Sequence, residues 1–367
     1  MENAQTASAI FACGPYSVIR DVSAMPAFLM SVVSNGNVWL FVGSNSAFSS
    51  GRTDADHAMF PYRTADKILG SPSGGGVRSV FQVDTEEGTV LWEPWQNGSG
   101  GNGIKRNLHK NSAGTSVVFE EINEPLGLRF TWRLTTSQTY GVVRFCALEN
   151  LSDKPVRLRY LDGWSEIIPA GVNQEVYDRF SYLAAAYMRH EQVQALSLYA
   201  LNSGITDRAE PSESLRAACA WTLGHADPKR LLSGRQVEKF RRNLPVVAES
   251  EVRGEFGSCL ACDAVELDAG EIHEWTCVAD TGLDHGAVEN LRVQIASPDS
   301  LKMSLEADVA ATHEGLRKRI AAADGLQQTA DKAASVHHFA NVLFNCMRGG
   351  TLADAYNVAA ADFSSYI

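Results

Sequence analysis

The polar segment at residues 43–68 places charged side chains at a spacing at which they can act together. Arg52, Asp54 and Asp56 alternate with uncharged residues, so in an extended chain all three point to one side. Arginine and carboxylate on one side form a strong, bidentate ion pair. We therefore predict that Arg52 pairs with a nearby carboxylate inside this segment and that Tyr62, in the apolar run that follows, is largely buried. Direct contact with a substrate is the alternative use of the same side chains.

Aromatic residues offer a second kind of chemistry, because sugars are held by aromatic faces and planar polar groups. Trp95 lies between Pro94 and a Gly-rich run, and Trp164 follows an Asp-Gly pair, so either could form such a platform. Trp92 and Trp132 lie in strand-like runs, and for them we predict core positions. The candidate substrate-binding residues are Arg52, Asp54, Asp56, Tyr62, Trp95 and Trp164.

Acid–base chemistry on sugars requires pairs of residues that sequence spacing does not single out. Glycoside hydrolysis needs two carboxyl groups across the sugar, but the chain has 43 acidic residues, and we predict no catalytic residue. Mutarotation needs a histidine acid and a glutamate base held on a concave sheet. His109 or His190 could be the acid, and Glu266 or Glu274 the base. The competing interpretation places His109 in a solvated basic loop and His190 at a helix end.

Metal, cofactor and nucleic-acid chemistry find little support in the sequence. Cys259 and Cys262 form a CxxC pair, but zinc would need two further ligands nearby, so we predict buried structural thiols and no metal or cofactor. The seven cysteines show no disulfide framework, which favours reduced thiols in the cytoplasm. A net charge of −11 argues against a nucleic-acid partner, and the broken apolar run at residues 28–42 argues against a membrane segment.

Short strands with turn punctuation dominate residues 15–282. Asn35-Gly36 and Glu86-Glu87-Gly88 read as hairpin turns, and residues 130–135 alternate as a strand with one buried face should. We expect helix at residues 175–187 and a flexible loop in the Gly- and Asn-rich stretch at residues 95–114. These patterns predict a mainly β protein built as a large antiparallel super-sandwich.

The composition changes near residue 285, where Ala-rich and charged helical segments begin. Pro298 and Gly325 punctuate them, and Leu316, Ile320 and Ala323 share one helical face. These helices are too few to enclose a core of their own, so we expect them to pack on the sandwich or on a part of the protein outside this sequence. The predicted organisation is a β-sandwich domain at 1–284 and a helical linker at 285–367.

Four segments together resemble glycoside hydrolase family 94, which contains the cellobiose and chitobiose phosphorylases. They are "GRTDADHAMFPYRTADKI", "ENLSDKPVRLRYLDGWSEIIPAG", "ITDRAEPSESLRAACAW" and "VLFNCMRGGTLADAYNVAAADF". The resemblance implies a galactose-mutarotase-like super-sandwich and linker helices leading toward an (α/α)6 barrel that these residues do not contain.

That barrel holds the catalytic acid of the family, so no catalytic residue carries over to this chain. The resemblance implies a non-catalytic region that supports the catalytic domain, homodimer formation and carbohydrate binding. The parent enzyme would act on an oligosaccharide, with inorganic phosphate or water as its co-substrate. The alternative is a free-standing mutarotase-like or carbohydrate-binding protein.

Overall fold

Three antiparallel sheets make up most of the protein. The structure is a computed structural model that describes residues 9–71, 75–96, 101–205, 213–350 and 359–367. The largest sheet has ten strands, in the spatial order β1 (Tyr16–Ile19), β8 (Ile104–Asn111), β9 (Ser116–Asn123), β10 (Leu128–Ser137), β11 (Gly141–Asn150), β19 (Ile272–Leu283), β15 (Ala217–Leu223), β14 (Leu196–Leu201), β13 (Met188–Val193) and β17 (Glu251–Arg253). The second has five, in the order β16 (Lys229–Leu231), β18 (Gly257–Leu267), β12 (Val156–Ile167), β6 (Val77–Thr85) and β7 (Gly88–Trp92). The third has four, in the order β2 (Leu29–Val32), β3 (Val38–Gly43), β4 (Phe48–Arg52) and β5 (Ala58–Phe60).

The main core lies between the inner faces of these sheets. Trp132 and Trp275 enter it from the ten-stranded sheet, Phe81 and Tyr160 from the five-stranded sheet, and Phe48 from the four-stranded sheet. All five side chains are buried. Trp275 stacks on Tyr160 and meets Phe81 at a tilt, and such ring contacts add to the free energy gained by burial. The prediction of a mainly β, antiparallel sandwich is confirmed.

The predicted hairpin turns are also confirmed. β2 and β3 pair antiparallel on either side of Asn35-Gly36, and β6 and β7 pair across Glu86 and Glu87. In β10, Phe130, Trp132 and Leu134 point into the core as predicted. The residues that alternate with them are buried as well, so the expectation of a solvated outer face on this strand is wrong.

Eight helices lie among the described residues, and the long ones follow the last strand. They are α1 (Ala65–Leu69), α2 (Gln174–Arg179), α3 (Ser181–Tyr187), α4 (Val237–Arg241), α5 (His285–Ile295), α6 (Pro298–Ala322), α7 (Lys332–Gly349) and α8 (Ala360–Tyr366). The helix expected at residues 175–187 is present as α2 and α3. None of the helices in the described ranges is long and apolar enough to cross a membrane.

Helices α5 and α6 cover the outer face of the ten-stranded sheet, as the sequence predicts. Leu291 and Ile295 of α5 and Leu305 of α6 join a second buried cluster with Val143 and Trp221 of the sheet. Pro298 opens α6, where its fixed φ suits the first helical turn and its missing N–H leaves no donor without a partner.

The far end of α6 packs on α7. Leu316 and Ile320 of α6 form a small cluster with Phe339 of α7 and with Ala113. Ala323 is also buried, so the three residues predicted to share a helical face do so.

The predicted loop at residues 95–114 is wrong over β8, which pairs with β1 and β9. The polar residues of this segment suggested a loop, but one of them, Arg106, points toward the core. Its Nε lies 2.7 Å from the buried Glu121 carboxylate. A partner fifteen positions away satisfies that charge, and tertiary pairing overrides local propensity. Residues 97–100 of the predicted loop lie outside the described part of the chain.

Candidate functional site

Arg52, at the end of β4, pairs with a carboxylate that lies far away in the sequence. Its Nε lies 2.6 Å from Asp280 Oδ1, and its Nη2 donates to Oδ2 at 2.8 Å. The third guanidinium nitrogen, Nη1, donates to Asn37 Oδ1 at 2.7 Å. Arg52 is therefore paired as predicted, but the expected pairing within its own segment is wrong. The pair joins the four-stranded sheet to β19 of the ten-stranded sheet.

Asp54 and Asp56 have local structural roles. Asp54 Oδ1 accepts from the Asp56 amide at 3.0 Å and lies 2.6 Å from His57 Nδ1, closing a single 3-10 turn. This contact with His57 lowers the pKa of Asp54. Asp56 Oδ1 accepts from the amide of Gln174, the first residue of α2, at 3.1 Å. The two carboxylates thus stabilise a turn and a helix end, and neither pairs with Arg52.

Tyr62 contributes to a cluster of rings on the outer side of the four-stranded sheet. Trp39 and Phe41 point outward from β3 with their centroids 6.0 Å apart, and Tyr62 meets Trp39 edge to face at 5.6 Å. Trp39 Nε1 donates to the Asp54 carbonyl at 2.9 Å, which fixes the indole beside the Asp54–His57 pair. We call Trp39, Phe41, Tyr62, Asp54 and His57 the aromatic surface.

Asp54 and His57 of the aromatic surface are exposed, and its three rings are each partly exposed. Most of the surface of Tyr62 is covered, as predicted, and Phe60 and Pro61 before it are buried. Tyr62 packs on the outward face of Trp39 rather than in the sandwich core. The side chains of Asp54 and His57 are 55% and 60% exposed.

Arg63 follows Tyr62 and pairs with Glu166, whose carboxylate lies 2.9 Å from Nη2. Burial opposes the charge on Arg63, but Glu166 and Tyr177 raise the pKa of its guanidinium above its ordinary value. Glu166 has φ 61°, a left-handed conformation rare outside glycine, and lies at the bulge where the pairing of β12 with β18 shifts. An ion pair thus stands beside the aromatic surface.

Trp95 and Trp164 are core residues, so their proposed role as sugar platforms is wrong. Trp164 is fully buried and packs against Phe48 and Phe60. Trp95 is 5% exposed and meets Phe119 edge to face at 4.9 Å. Trp164 lies within β12 and Trp95 in the turn after β7, and both indoles point inward. Trp92 and Trp132 are buried, as predicted.

The four acid–base candidates do not form a catalytic pair. His109 and Glu274 share the outer face of the ten-stranded sheet, but three strands separate β8 from β19. At ~4.8 Å per strand step, about 19 Å lies between them, too far for one substrate proton to be shared. His190 is fully buried on β13 with Nε2 2.7 Å from the Glu255 carbonyl oxygen, and Glu266 pairs with Arg157.

A cluster of two histidines and a tyrosine, missed by sequence reasoning, lies where the ten- and five-stranded sheets meet. The Tyr160 hydroxyl is 2.9 Å from His225 Nδ1 and 2.8 Å from His273 Nε2. Burial lowers the pKa of His225 to about 4, lowers that of His273, and raises that of Tyr160. All three are therefore neutral at pH 7. One hydroxyl hydrogen serves one imidazole, so the other imidazole must donate to the tyrosine oxygen.

The interior also holds a fully buried ion pair. Arg144 Nη1 lies 2.8 Å from Asp162 Oδ2, and the same carboxylate accepts from Trp275 Nε1 at 2.7 Å. The thiols of Cys146 and Cys277 lie near enough to Asp162 for the three to hold a metal ion. A guanidinium already neutralises that carboxylate, and contact with Cys146 together with burial raises the pKa of Cys277, so the group is better suited to structure than to metal binding.

The CxxC pair lies on β18 with its two side chains on opposite faces, because residues three apart in a strand alternate. Cys259 is buried, and burial raises its pKa to about 12, which leaves the thiol unreactive at neutral pH. Cys262 is half-buried. The geometry fits structural thiols and does not fit a shared metal or disulfide.

No family model and no curated protein matches this sequence. Solved structures resemble it at low identity. A bacterial glucoamylase in complex with acarbose has a TM-score of 0.48 and 10% identity, and the match covers 89% of this chain and 44% of that one. A "putative kojibiose phosphorylase from human microbiome" has a TM-score of 0.39 and 10% identity, covering 89% and 40%. A "putative aldose 1-epimerase" from Escherichia coli K12 has a TM-score of 0.39 and 9% identity, covering 70% and 100%.

These neighbours are carbohydrate-active enzymes and an aldose epimerase. The chain spans less than half the length of the glucoamylase and of the phosphorylase. Below a TM-score of 0.5 the likenesses carry no argument about function, and the assignment to family 94 stays a prediction.

Proposed function

We propose that this chain is the β-sandwich region and helical linker of a carbohydrate-active enzyme, and that it supports catalysis and contacts carbohydrate without performing the chemistry itself. The observation that carries the proposal is the aromatic surface. Its rings stand beside an exposed carboxylate and imidazole, which is the combination that holds sugars, with apolar faces for C–H groups and planar polar groups for hydroxyls.

A non-catalytic role is supported by the side chains of the ten-stranded sheet. On its outer face, Arg129 pairs with Glu149 at 2.6 Å and contacts Glu120, and Glu120 also contacts His109. The N-terminal turn lies on the same face, where the Ala9 carbonyl accepts from Arg133. Glycoside hydrolysis needs two carboxyl groups facing one sugar, whereas these carboxylates face arginine and histidine.

Attachment to a further domain or to a second copy is supported by the helical end of the chain. Phe344 and Met347 of α7 are 56% and 64% exposed, and Phe363 of α8 is 59% exposed. Large apolar side chains that stay exposed in neighbouring elements mark surfaces that bind other protein. The same proposal has further parts. The chain would support a catalytic domain and form a homodimer. The parent enzyme would act in the cytoplasm on an oligosaccharide, with phosphate or water as its co-substrate.

The test is titration of the chain with glucose, cellobiose and maltose, followed by saturation-transfer NMR and calorimetry. We expect millimolar binding of at least one disaccharide and a loss of about two- to tenfold in Tyr62→Ala, because a stacked ring contributes roughly 0.5–1.5 kcal/mol. Tyr182→Ala removes a tyrosine that is 93% exposed on α3 and serves as the matched control. Equal affinity in both variants, or no binding to the unmodified chain, would overturn the proposal.

The alternative, a free-standing mutarotase-like protein, is tested by polarimetry on freshly dissolved α-glucose. We expect the chain to leave the rate of anomer interconversion at its buffer value. A catalysed rate would favour the alternative.

A further inference from the structure

A cavity of about 800 Å³ lies apart from the aromatic surface, between the N-terminal segment and the last helices. Residues 13–17 form one wall, the β8–β9 turn at Ser112 and Ala113 a second, and α6, α7 and the loop between them the rest. This volume is within the roughly 300–1,000 Å³ of cavities that bind small molecules.

The charge of the cavity is opposite to that of the whole chain. Two cations, Arg317 and Lys332, line it beside the imidazoles of His313 and His337, and no aspartate or glutamate does so among the described residues. The chain as a whole carries a net charge of −11, so a cavity wall without carboxylates departs from its overall character. A low-dielectric cleft lined by one sign of charge concentrates ligands of the other sign.

The nitrogen-bearing side chains of the cavity retain capacity to bind a ligand. Arg317 uses Nη1 for a 3.3 Å contact with Glu314, and a guanidinium has five N–H donors in all. Lys332 is the first residue of α7, and the cap of that helix is Asp331, which accepts from the Ala333 amide at 2.9 Å and leaves the Lys332 ammonium as the cation at this end of the cavity. His313 is held in place by a 2.7 Å contact between its Nδ1 and Thr115 Oγ1, and the ring has a second nitrogen.

The rest of the wall suits a carbon body with hydroxyl groups. Tyr16, Leu326 and Phe339 supply apolar surface. Polar atoms in the same lining come from Gln327, Thr329 and Ser335, whose donors bond to Asp324 and to the Asp331 carbonyl and whose oxygens can still accept. A bare inorganic ion would leave most of this volume and its apolar wall without contacts.

We propose that this cavity binds a small organic anion, with a phosphate or carboxylate held by Arg317 and Lys332 and a hydroxylated carbon body against Tyr16 and Phe339. Guanidinium binds such oxyanions through paired hydrogen bonds, and the ammonium adds a point charge. The site is independent of the function proposed above, since none of its lining residues belongs to the aromatic surface.

Calorimetric titration with four probes tests the proposal. Glucose 6-phosphate represents a phosphate ester and gluconate a carboxylate. Glucose supplies the hydroxylated carbon body alone, and inorganic phosphate supplies the anionic group alone. We expect at least one of the two organic anions to bind at least tenfold more tightly than glucose and than inorganic phosphate. Whichever anion binds more tightly identifies the source of the charge. Equal binding of inorganic phosphate and glucose 6-phosphate, together with no binding of gluconate, would overturn the proposal.

Variants locate the site within the protein. Arg317→Ala and Lys332→Ala should each weaken binding of the organic anion about tenfold, and Arg317→Lys should retain part of it. Lys318→Ala is the matched control, because Lys318 is an exposed neighbour on α6 that does not line the cavity. Thermal denaturation of each variant shows whether it is folded. If folded Arg317→Ala and Lys332→Ala bind the anion as tightly as Lys318→Ala, the assignment of the site is wrong.

Discussion

Replacing Arg52 with alanine removes the cation that compensates a buried carboxylate. The side chains of Arg52 and Asp280 are 18% and 12% exposed, and two hydrogen bonds join them. Removing one partner of a buried pair costs ~3–5 kcal/mol because the remaining charge is left uncompensated. The Thr281 amide still donates to Asp280 at 2.8 Å, so we expect the lower end, about 3 kcal/mol.

The size of the expected change in melting temperature follows from the length of the chain. Unfolding entropy is about 2.1 cal/mol/K per residue, or about 0.8 kcal/mol/K for 367 residues. A loss of about 3 kcal/mol therefore lowers the apparent melting temperature by about 4 °C. Far-ultraviolet circular dichroism, which reports β-sheet, follows the transition. A low protein concentration limits aggregation of the unfolded chain during the scan.

The destabilisation should depend on pH in a defined direction. Burial raises the pKa of Asp280, and Arg52 acts against that rise. A carboxyl group whose pKa is raised by folding contributes stability at low pH and loses it as the pH rises through the folded pKa. Without Arg52 the pKa rises further, so the cost of Arg52→Ala should be largest at pH 7 and should shrink toward pH 4.

Two further variants show whether the buried charge is the cause. Arg52→Ala combined with Asp280→Asn should recover part of the stability lost in Arg52→Ala alone, because the double variant holds no uncompensated carboxylate. Arg292→Ala breaks an exposed pair with Glu289 on α5 and should cause no measurable change. The reasoning is refuted if Arg52→Ala has the same melting temperature as Arg292→Ala, or if the double variant is no more stable than Arg52→Ala alone.

Two other substitutions follow from the interior. Asp162→Ala leaves the fully buried Arg144 without its carboxylate, so we expect a loss of ~3–5 kcal/mol in urea unfolding, and a loss below 1 kcal/mol would contradict the assigned pair. Gly163→Ala places a Cβ 2.0 Å from the Cys259 carbonyl oxygen at φ 150°, which should prevent folding or reduce stability severely, as soluble yield and melting temperature would show. Gly234→Ala is its control, because a Cβ there has open space, and it should melt like the unmodified chain.

The strands could be predicted where short-range signals are strong. Asn35-Gly36 favours a turn by its own backbone preference. The alternation of apolar residues in β10 arises because every second side chain faces the core. The pattern could not show that Arg133, on the other face of β10, is buried as well. That burial comes from the N-terminal turn and α6, which are more than a hundred positions away along the chain.

The site was harder to predict because its contacts are long-range. Arg52 and Asp280 are 228 positions apart, and Tyr160 lies 65 from His225 and 113 from His273. No local motif records such spacings, so sequence reasoning assigned Arg52 to the nearest carboxylates. The contact of Tyr62 with Trp39 depends on which face of the sheet Trp39 occupies, and that is set by the register of β3 rather than by residues near position 62.

The Arg52 pair also bears on the aromatic surface. Buried ion pairs add little net stability compared with apolar contacts, but they penalise arrangements in which the two charges separate. Arg52 ends β4, and the chain passes directly from it into the turn that contains Asp54 and His57, while Trp39 pairs with Gly51 in the same hairpin. The contact with Asp280 therefore fixes this hairpin against the ten-stranded sheet, and with it the position of the rings. If the aromatic surface binds disaccharide, Arg52→Ala should weaken that binding even in the fraction of molecules that remain folded, although Arg52 itself lies behind the rings.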